Sequence, residues 1–170
     1  MRVPTILMLA LAAQPMALHA HVTLPPGGAA AGSEYAASFR VGHACKDASA
    51  TTAIRVQLPP GFVPIEVLPR PGWKATLSAG TVEWVADSPE VWLPAKERAS
   101  FTVRGRLADT PGTLWFKVLQ VCDRGSADWS EVPAHEAHKP PFPAARLDVL
   151  APGGAPARAA SAATSHRHAP

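Results

Sequence analysis

The chain has 170 residues, of which 47% are hydrophobic and only 17% are charged. Its 19 prolines exclude a bundle of long helices, because proline fixes φ and lacks the N–H donor that a helix interior needs. The formal net charge is only +3, and no cluster of lysine and arginine exceeds two neighbours, so the composition does not indicate nucleic-acid binding.

The first twenty residues have the parts of a secretory signal peptide. One arginine precedes an apolar run of about ten residues, too short to span a bilayer, and the run is followed by a proline and the small residue Ala20. Cleavage after Ala20 fits best, although Leu18 stands where a small side chain is preferred. We therefore expect a periplasmic or secreted protein whose mature chain begins at His21 and contains no methionine.

Short runs of alternating apolar and polar residues, separated by turn residues, predict an all-β fold, an antiparallel β-sandwich. The apolar residues of the run 113–122 lie on both of its faces, so we expect both faces to be covered. The segments 25–32 and 133–143 are predicted to be loops, and residues 151–170 a disordered tail. In chain order the predicted strands are 34–41, 54–58, 82–86, 101–106, 113–122 and 146–150.

Two cysteines, Cys45 and Cys122, lie within this β-rich region. In an oxidising compartment we expect them to form a disulfide that closes a loop of about 77 residues. Chain entropy alone predicts a stabilisation of about 4 kcal/mol from such a bond. Paired cysteines are not available as thiolate nucleophiles or as metal ligands.

An N-terminal histidine offers two nitrogen donors, the α-amine and the imidazole Nδ1, which together close a six-membered chelate on a metal. One further imidazole completes a T-shaped set of three nitrogens, which suits Cu(II). The α-amine has an ordinary pKa near ~7.8, so Cu(II) needs only to displace that proton at neutral pH. The simpler interpretation of His21 is that cleavage happens to fall before a histidine.

Other residues could complete such a site. His43 follows a predicted strand and lies near Cys45, although a surface histidine is the simpler interpretation. Glu34 is an alternative oxygen ligand. Trp129 lies seven residues after Cys122, so the disulfide brings it towards His43, although a tryptophan in the core or at its rim is the commoner case. The remaining histidines are explained as well by chance exposure as by loose metal binding: His135, His138, His166 and His168.

The chain resembles the YcnI-like copper-binding domains, a bacterial family. The resemblance covers roughly residues 21–150, and its parts are individually weak but occur in order and at plausible spacing. It divides the chain into a signal peptide (1–20), a copper-binding sandwich (21–150) and the tail (151–170). The matching stretches are 21–26, 31–35, 39–45, 51–59, 71–73, 118–122 and 129–133.

The resemblance implies a cupredoxin- or immunoglobulin-like sandwich that holds Cu(II) through its N-terminal histidine, a glutamate and a nearby tryptophan. His21 and Trp129 match two of these positions, whereas residues 42–45 occupy the region of the glutamate, so we expect His43 to replace it. The resemblance further implies a metallochaperone in copper uptake or homeostasis and not an enzyme. Its partners would be other periplasmic copper-handling proteins or a membrane copper transporter, with no nucleic acid or polysaccharide.

Three other functions are compatible to different degrees with this sequence. Blue-copper electron transfer needs a thiolate and usually a methionine, which the mature chain does not supply. A histidine-brace copper monooxygenase is the enzymatic alternative. It would need a flat aromatic or polar substrate face and a tyrosine or phenylalanine at the axial position, and the chain has a single tyrosine. A metal-free structural or adhesion sandwich is the third possibility, and it predicts no stoichiometric copper binding.

Overall fold

The computed structural model describes residues 21–135 and 137–153. The predicted signal peptide, residue 136 and residues 154–170 of the predicted tail lie outside the described residues. A single 3-10 turn, Pro89–Val91, interrupts the strands of the described part. The strands there are β1 (Ala29–Ala30), β2 (Glu34–Val41), β3 (Ala50–Gln57), β4 (Phe62–Val67), β5 (Trp73–Ser78), β6 (Thr81–Ala86), β7 (Leu93–Pro94), β8 (Ala99–Leu107), β9 (Gly112–Cys122), β10 (Ser126–Trp129) and β11 (Ala145–Leu150).

Two sheets form a sandwich, which confirms the predicted all-β class. The smaller sheet has the order β2-β8-β4 and is antiparallel. The larger sheet has the order β1-β11-β9-β3-β6-β5, with β7 paired to β3 and β10 paired to β9. Its short pair of β1 with β11 is parallel.

Aromatic side chains from the two sheets meet in the core. Phe39 of β2 contacts Phe116 of β9 at a ring-centroid distance of 5.4 Å, and Phe101 of β8 lies 5.7 Å from Trp84 of β6. All four side chains are almost fully buried. Burial of each contributes about 1.5–3 kcal/mol, so the alternating apolar residues of these strands determine which face packs inward.

The strand β9 differs from the prediction that both of its faces are covered. Its inner face is buried at Phe116, Val118 and Gln120, but on its outer face Trp115 and Leu119 are only half-buried. The reason is that the sandwich has two layers, so the outer face of the larger sheet meets solvent.

The strands β4, β5 and β10 were not predicted, and neither were the two-residue strands β7 and β1, of which β1 lies in the predicted loop 25–32. Strand β4 is an edge strand that contains Pro64, and its register shifts between Pro64 and Glu66. Proline is tolerated at a sheet edge because no neighbouring strand needs its missing N–H. Val63 and Ile65 of this strand are exposed, so β4 lacks a clear apolar alternation.

The predicted disulfide between Cys45 and Cys122 is present, with the two Cα atoms 6.0 Å apart. It ties the segment after β2 to the end of β9. The next residue along the chain, Asp123, reinforces this tie, because its Oδ1 accepts hydrogen bonds from the backbone N–H groups of Ser49 (2.9 Å) and Ala50 (3.1 Å). The segment that carries His43 is therefore held at both of its ends.

The Asp123 carboxylate is expected to make this tie dependent on pH. The pKa of Asp123 lies below its ordinary value of 3.8, mainly because its carboxylate accepts a hydrogen bond from the backbone N–H of Ala50. The backbone N–H of Ser49 and the positive charge of Arg124 lower this pKa further. A lowered pKa in the folded state stabilises the fold fully above the unfolded value, and this contribution is lost as the pH falls through the folded pKa.

We therefore expect Asp123→Asn to lower the free energy of unfolding near neutral pH and to have almost no effect at a pH below the folded pKa of Asp123. Urea unfolding of both proteins at the two pH values measures this. Asp128→Asn, at an exposed position on β10, is the matched control and should change little at either pH. An equal loss of stability at both pH values would contradict the prediction.

Candidate metal centre

The first described residues extend the smaller sheet. Thr23 pairs antiparallel with Arg40 of β2: the Thr23 N–H donates to the Arg40 carbonyl at 3.3 Å, and the Arg40 N–H donates to the Thr23 carbonyl at 2.8 Å. Val22 and Leu24, on either side of Thr23, are buried in the core. The chain is therefore anchored directly after His21.

This pairing also sets the position of His21. In an antiparallel pair the two chains run in opposite directions, so the residues before Thr23 run towards the end of β2 that leads to Gly42. His21 is thereby placed beside the segment that carries His43, and both histidines are half-buried. The two imidazoles come from positions 22 residues apart in the chain, and sheet pairing brings their backbones together.

The ring of His43 lies against the backbone of the preceding residue. Its Nδ1 contacts the carbonyl oxygen of Gly42. A carbonyl oxygen can only accept a hydrogen bond, so this contact fits the tautomer in which Nδ1 carries the proton and Nε2 keeps its lone pair. A histidine whose Nδ1–H donates to a backbone carbonyl is the usual arrangement of a metal ligand that binds through Nε2.

Trp129 forms one wall of this region. Its ring centroid lies 5.8 Å from that of His21, with the two planes inclined at 59°. The ring of Phe142 also contacts Trp129, at a centroid distance of 5.2 Å. Trp129 is only 8% exposed. Although His21 and Trp129 are more than a hundred residues apart, the structure brings their rings into contact.

Gln120 is a residue of this region that the sequence analysis did not select. It is 2% exposed, and its amide connects to Trp129 Nε1 at 3.1 Å and to the backbone carbonyl of His43 at 2.6 Å. A signal for it was present, since a glutamine on the inward face of a strand among apolar residues is a buried polar group that requires partners.

The other candidate ligands lie elsewhere. Glu34 is at the beginning of β2, six residues before Arg40, which along an extended strand is about 20 Å from the end of β2 that faces His21. His135 and His138 lie in the exposed segment before β11, with ring centroids 5.8 Å apart. His166 and His168 lie outside the described residues.

The donors of the region are nitrogens. Within residues 21–135 and 137–153, no group of three or more histidine, cysteine, aspartate and glutamate side chains could hold a metal ion. A site at His21 would instead use two imidazoles and the α-amine that signal cleavage would create. Three nitrogens without a carboxylate or thiolate fit Cu(II) better than the harder cations, which prefer oxygen.

Comparison with known proteins gives a family and a fold. The model of the family described as a domain of unknown function (DUF1775) matches residues 21–83 and 76–149. No curated protein matches the chain. Across the described residues, no helix is long and apolar enough to cross a membrane.

A protein from Nocardia farcinica with an immunoglobulin-like fold is 30% identical, with a TM-score of 0.66 over 76% of this chain and 97% of that chain. The immunoglobulin-like sandwich is thereby confirmed. A type I cohesin from Clostridium thermocellum, in complex with a dockerin, is 8% identical with a TM-score of 0.48 over 76% of this chain and 98% of that chain. A non-cellulosomal cohesin from Archaeoglobus fulgidus is 10% identical, with a TM-score of 0.47 over 76% of this chain and 90% of that chain.

Proposed function

This chain belongs to the DUF1775 family, and we propose that it is a periplasmic or secreted protein that binds Cu(II) as cargo and delivers it in copper uptake or homeostasis. The observation that carries the proposal is the contact of the His21 imidazole with Trp129, beside the segment of His43. In this proposal His21 binds through its α-amine and Nδ1, and His43 binds through Nε2.

Each of these residues has a distinct part in binding. The α-amine of His21 loses its proton on binding, which its ordinary pKa near ~7.8 makes easy at neutral pH. The His43 ring is held by the Gly42 carbonyl, so its lone pair is directed before the ion arrives. The Trp129 ring excludes water from the side of the site that it covers.

Delivery of the cargo is supported by exposure. His21 and His43 are half-buried, so a second chelating protein can approach the ion from the solvent side. The cysteines are paired and offer no competing thiolate. The partners would be other periplasmic copper-handling proteins or a membrane copper transporter.

Tyr35 lies away from the proposed site, so it is not the axial tyrosine of a histidine-brace monooxygenase. It is the single tyrosine of the chain and lies on β2 five residues before Arg40, about 17 Å along the strand from the residue paired with Thr23. A tyrosine at that distance does not reach a metal held at His21. Because copper is cargo in this proposal, we expect no ascorbate-driven peroxide production and no cleavage of polysaccharide by the copper-loaded protein.

Electron paramagnetic resonance of the mature protein with one equivalent of Cu(II) tests the proposal. We expect a single species with nitrogen hyperfine structure, its loss in His21→Ala, and altered g and hyperfine values in His43→Ala. His135→Ala is the matched control, because it removes an exposed histidine outside the site. An unchanged spectrum in His21→Ala would overturn the proposal, and a wild-type protein without stoichiometric binding would favour the metal-free sandwich.

A further inference from the structure

A single buried amide joins the two sides of the proposed site. Gln120 lies on the inner face of β9, and its side chain contacts Trp129, the backbone of His43, and Thr51. These partners come from β10, from the segment after β2, and from β3. No other glutamine, asparagine or charged residue of the described part is as fully buried.

The orientation of this amide follows from its partners. The indole Nε1–H of Trp129 can only donate, so the atom that it contacts at 3.1 Å is the amide oxygen. The His43 carbonyl can only accept, so the atom that it contacts at 2.6 Å is the amide nitrogen. The second N–H of that nitrogen donates to Thr51 Oγ1 at 2.7 Å. Both amide hydrogens and one oxygen lone pair are therefore used.

We propose that Gln120 is a positioning residue, which holds the Trp129 ring and the His43 backbone in fixed relation so that the His21 site has one geometry. This inference rests on the proposed function. An apolar residue would pack in a sandwich core with less desolvation, so the amide is explained by its hydrogen bonds and not by its burial. Its two links lead to the ring that contacts His21 and to the residue proposed to supply the remaining imidazole.

The disulfide strengthens this role. Cys122 is two residues after Gln120, and Cys45 is two residues after His43, so the covalent bond and the amide hold the same pair of segments together. The bond limits how far the segments separate, whereas the amide sets their relative orientation through directional hydrogen bonds. Removal of the amide should therefore change the geometry of the site while the fold persists.

Gln120→Met tests the proposal, because methionine has a similar volume and none of the polar atoms. In competition titrations with a Cu(II) chelator, we expect its affinity to fall by about 10–100-fold, the usual effect of losing a partner that orients a metal ligand. We also expect a broadened or doubled Cu(II) resonance spectrum. Thr51→Val is the matched control: it removes one hydrogen bond of the same amide and leaves both links to the site, so affinity and spectrum should stay near wild type.

A measurement on the metal-free protein separates this inference from the proposed function. In ¹⁵N NMR spectra, the Trp129 indole N–H should exchange faster with solvent in Gln120→Met than in wild type or Thr51→Val. If Gln120→Met does not fold, Trp129→Phe replaces it in the Cu(II) titration and the resonance spectrum, since phenylalanine keeps an aromatic ring and removes the indole N–H that donates to Gln120. Affinity and spectrum equal to wild type in Trp129→Phe would overturn the positioning role.

The outcomes are distinct. Wild-type binding with a loss specific to Gln120→Met and a faster indole exchange supports the positioning role. Wild-type binding with equal affinity and equal spectra in Gln120→Met and Thr51→Val overturns it and leaves the proposed function intact. Absence of Cu(II) binding by the wild-type protein overturns the proposed function, and with it the positioning role, whatever the exchange rate of the indole.

Discussion

One N-acetylated alanine added ahead of His21 in the mature chain is expected to weaken Cu(II) binding by at least about a hundredfold. The acetylated extension converts the α-amine of His21 into an amide and leaves no free amine beside the imidazole. An amide without an adjacent amine is a poor ligand at neutral pH, and every side chain stays in place. The chelate then loses one of its two donors, and the intramolecular advantage of the second donor disappears with it. Titration against a chelator of known affinity measures the loss.

The fold should not respond to this extension, because the anchored part of the chain begins at the buried Val22 and the pairing of Thr23. An alanine added at the C-terminus is the matched control and should leave affinity unchanged. If the N-terminally extended protein bound Cu(II) as tightly as the mature protein, the α-amine would not be a ligand. The site would then consist of side chains alone.

Removal of the disulfide is expected to have the largest effect on stability. The bond closes a loop across 77 positions, and restriction of the unfolded chain by such a loop contributes about 4 kcal/mol. In Cys45→Ala/Cys122→Ala we therefore expect the free energy of unfolding to fall by about that amount. Urea unfolding of the variant and of the wild-type protein, with and without a phosphine reductant, measures it.

The reductant provides the internal control, since it should destabilise the wild-type protein and have no effect on the variant. Copper affinity should also fall in the variant, because Cys45 is two residues from His43 and both ends of the bond flank the Gln120 contact. A loss of stability below about 1 kcal/mol would show that the unfolded chain is already compact and gains little freedom when the bond is absent.

The main strands were predictable where one face is buried and the other meets solvent. Strand β8 is an example: its buried Phe101 and Val103 alternate with the exposed Arg104 and Arg106, and pairing with β2 on one side and β4 on the other maintains that alternation. Strand β4 was missed because it lies at a sheet edge, where its apolar residues Val63 and Ile65 face solvent. The pattern of apolar residues therefore does not indicate which face of this strand is buried.

The choice between Glu34 and His43 shows what pattern alone does not decide. Both residues flank the same predicted strand, and either could supply a ligand by type. The pairing of Thr23 with Arg40 orients the first residues antiparallel to β2, so His21 faces the end that leads to His43 and not the end that begins at Glu34. A parallel pairing would have placed His21 towards Glu34.

The sequence by itself determined the class of fold and the disulfide, because alternation and the presence of two cysteines depend on local pattern and composition. It also supplied His21, His43 and Trp129 as candidates by residue type. Only the tertiary structure decided that Trp129 contacts His21 and that Gln120 joins Trp129 to His43. These contacts link residues up to 108 positions apart, and their formation depends on how the two sheets pack, which no local pattern encodes.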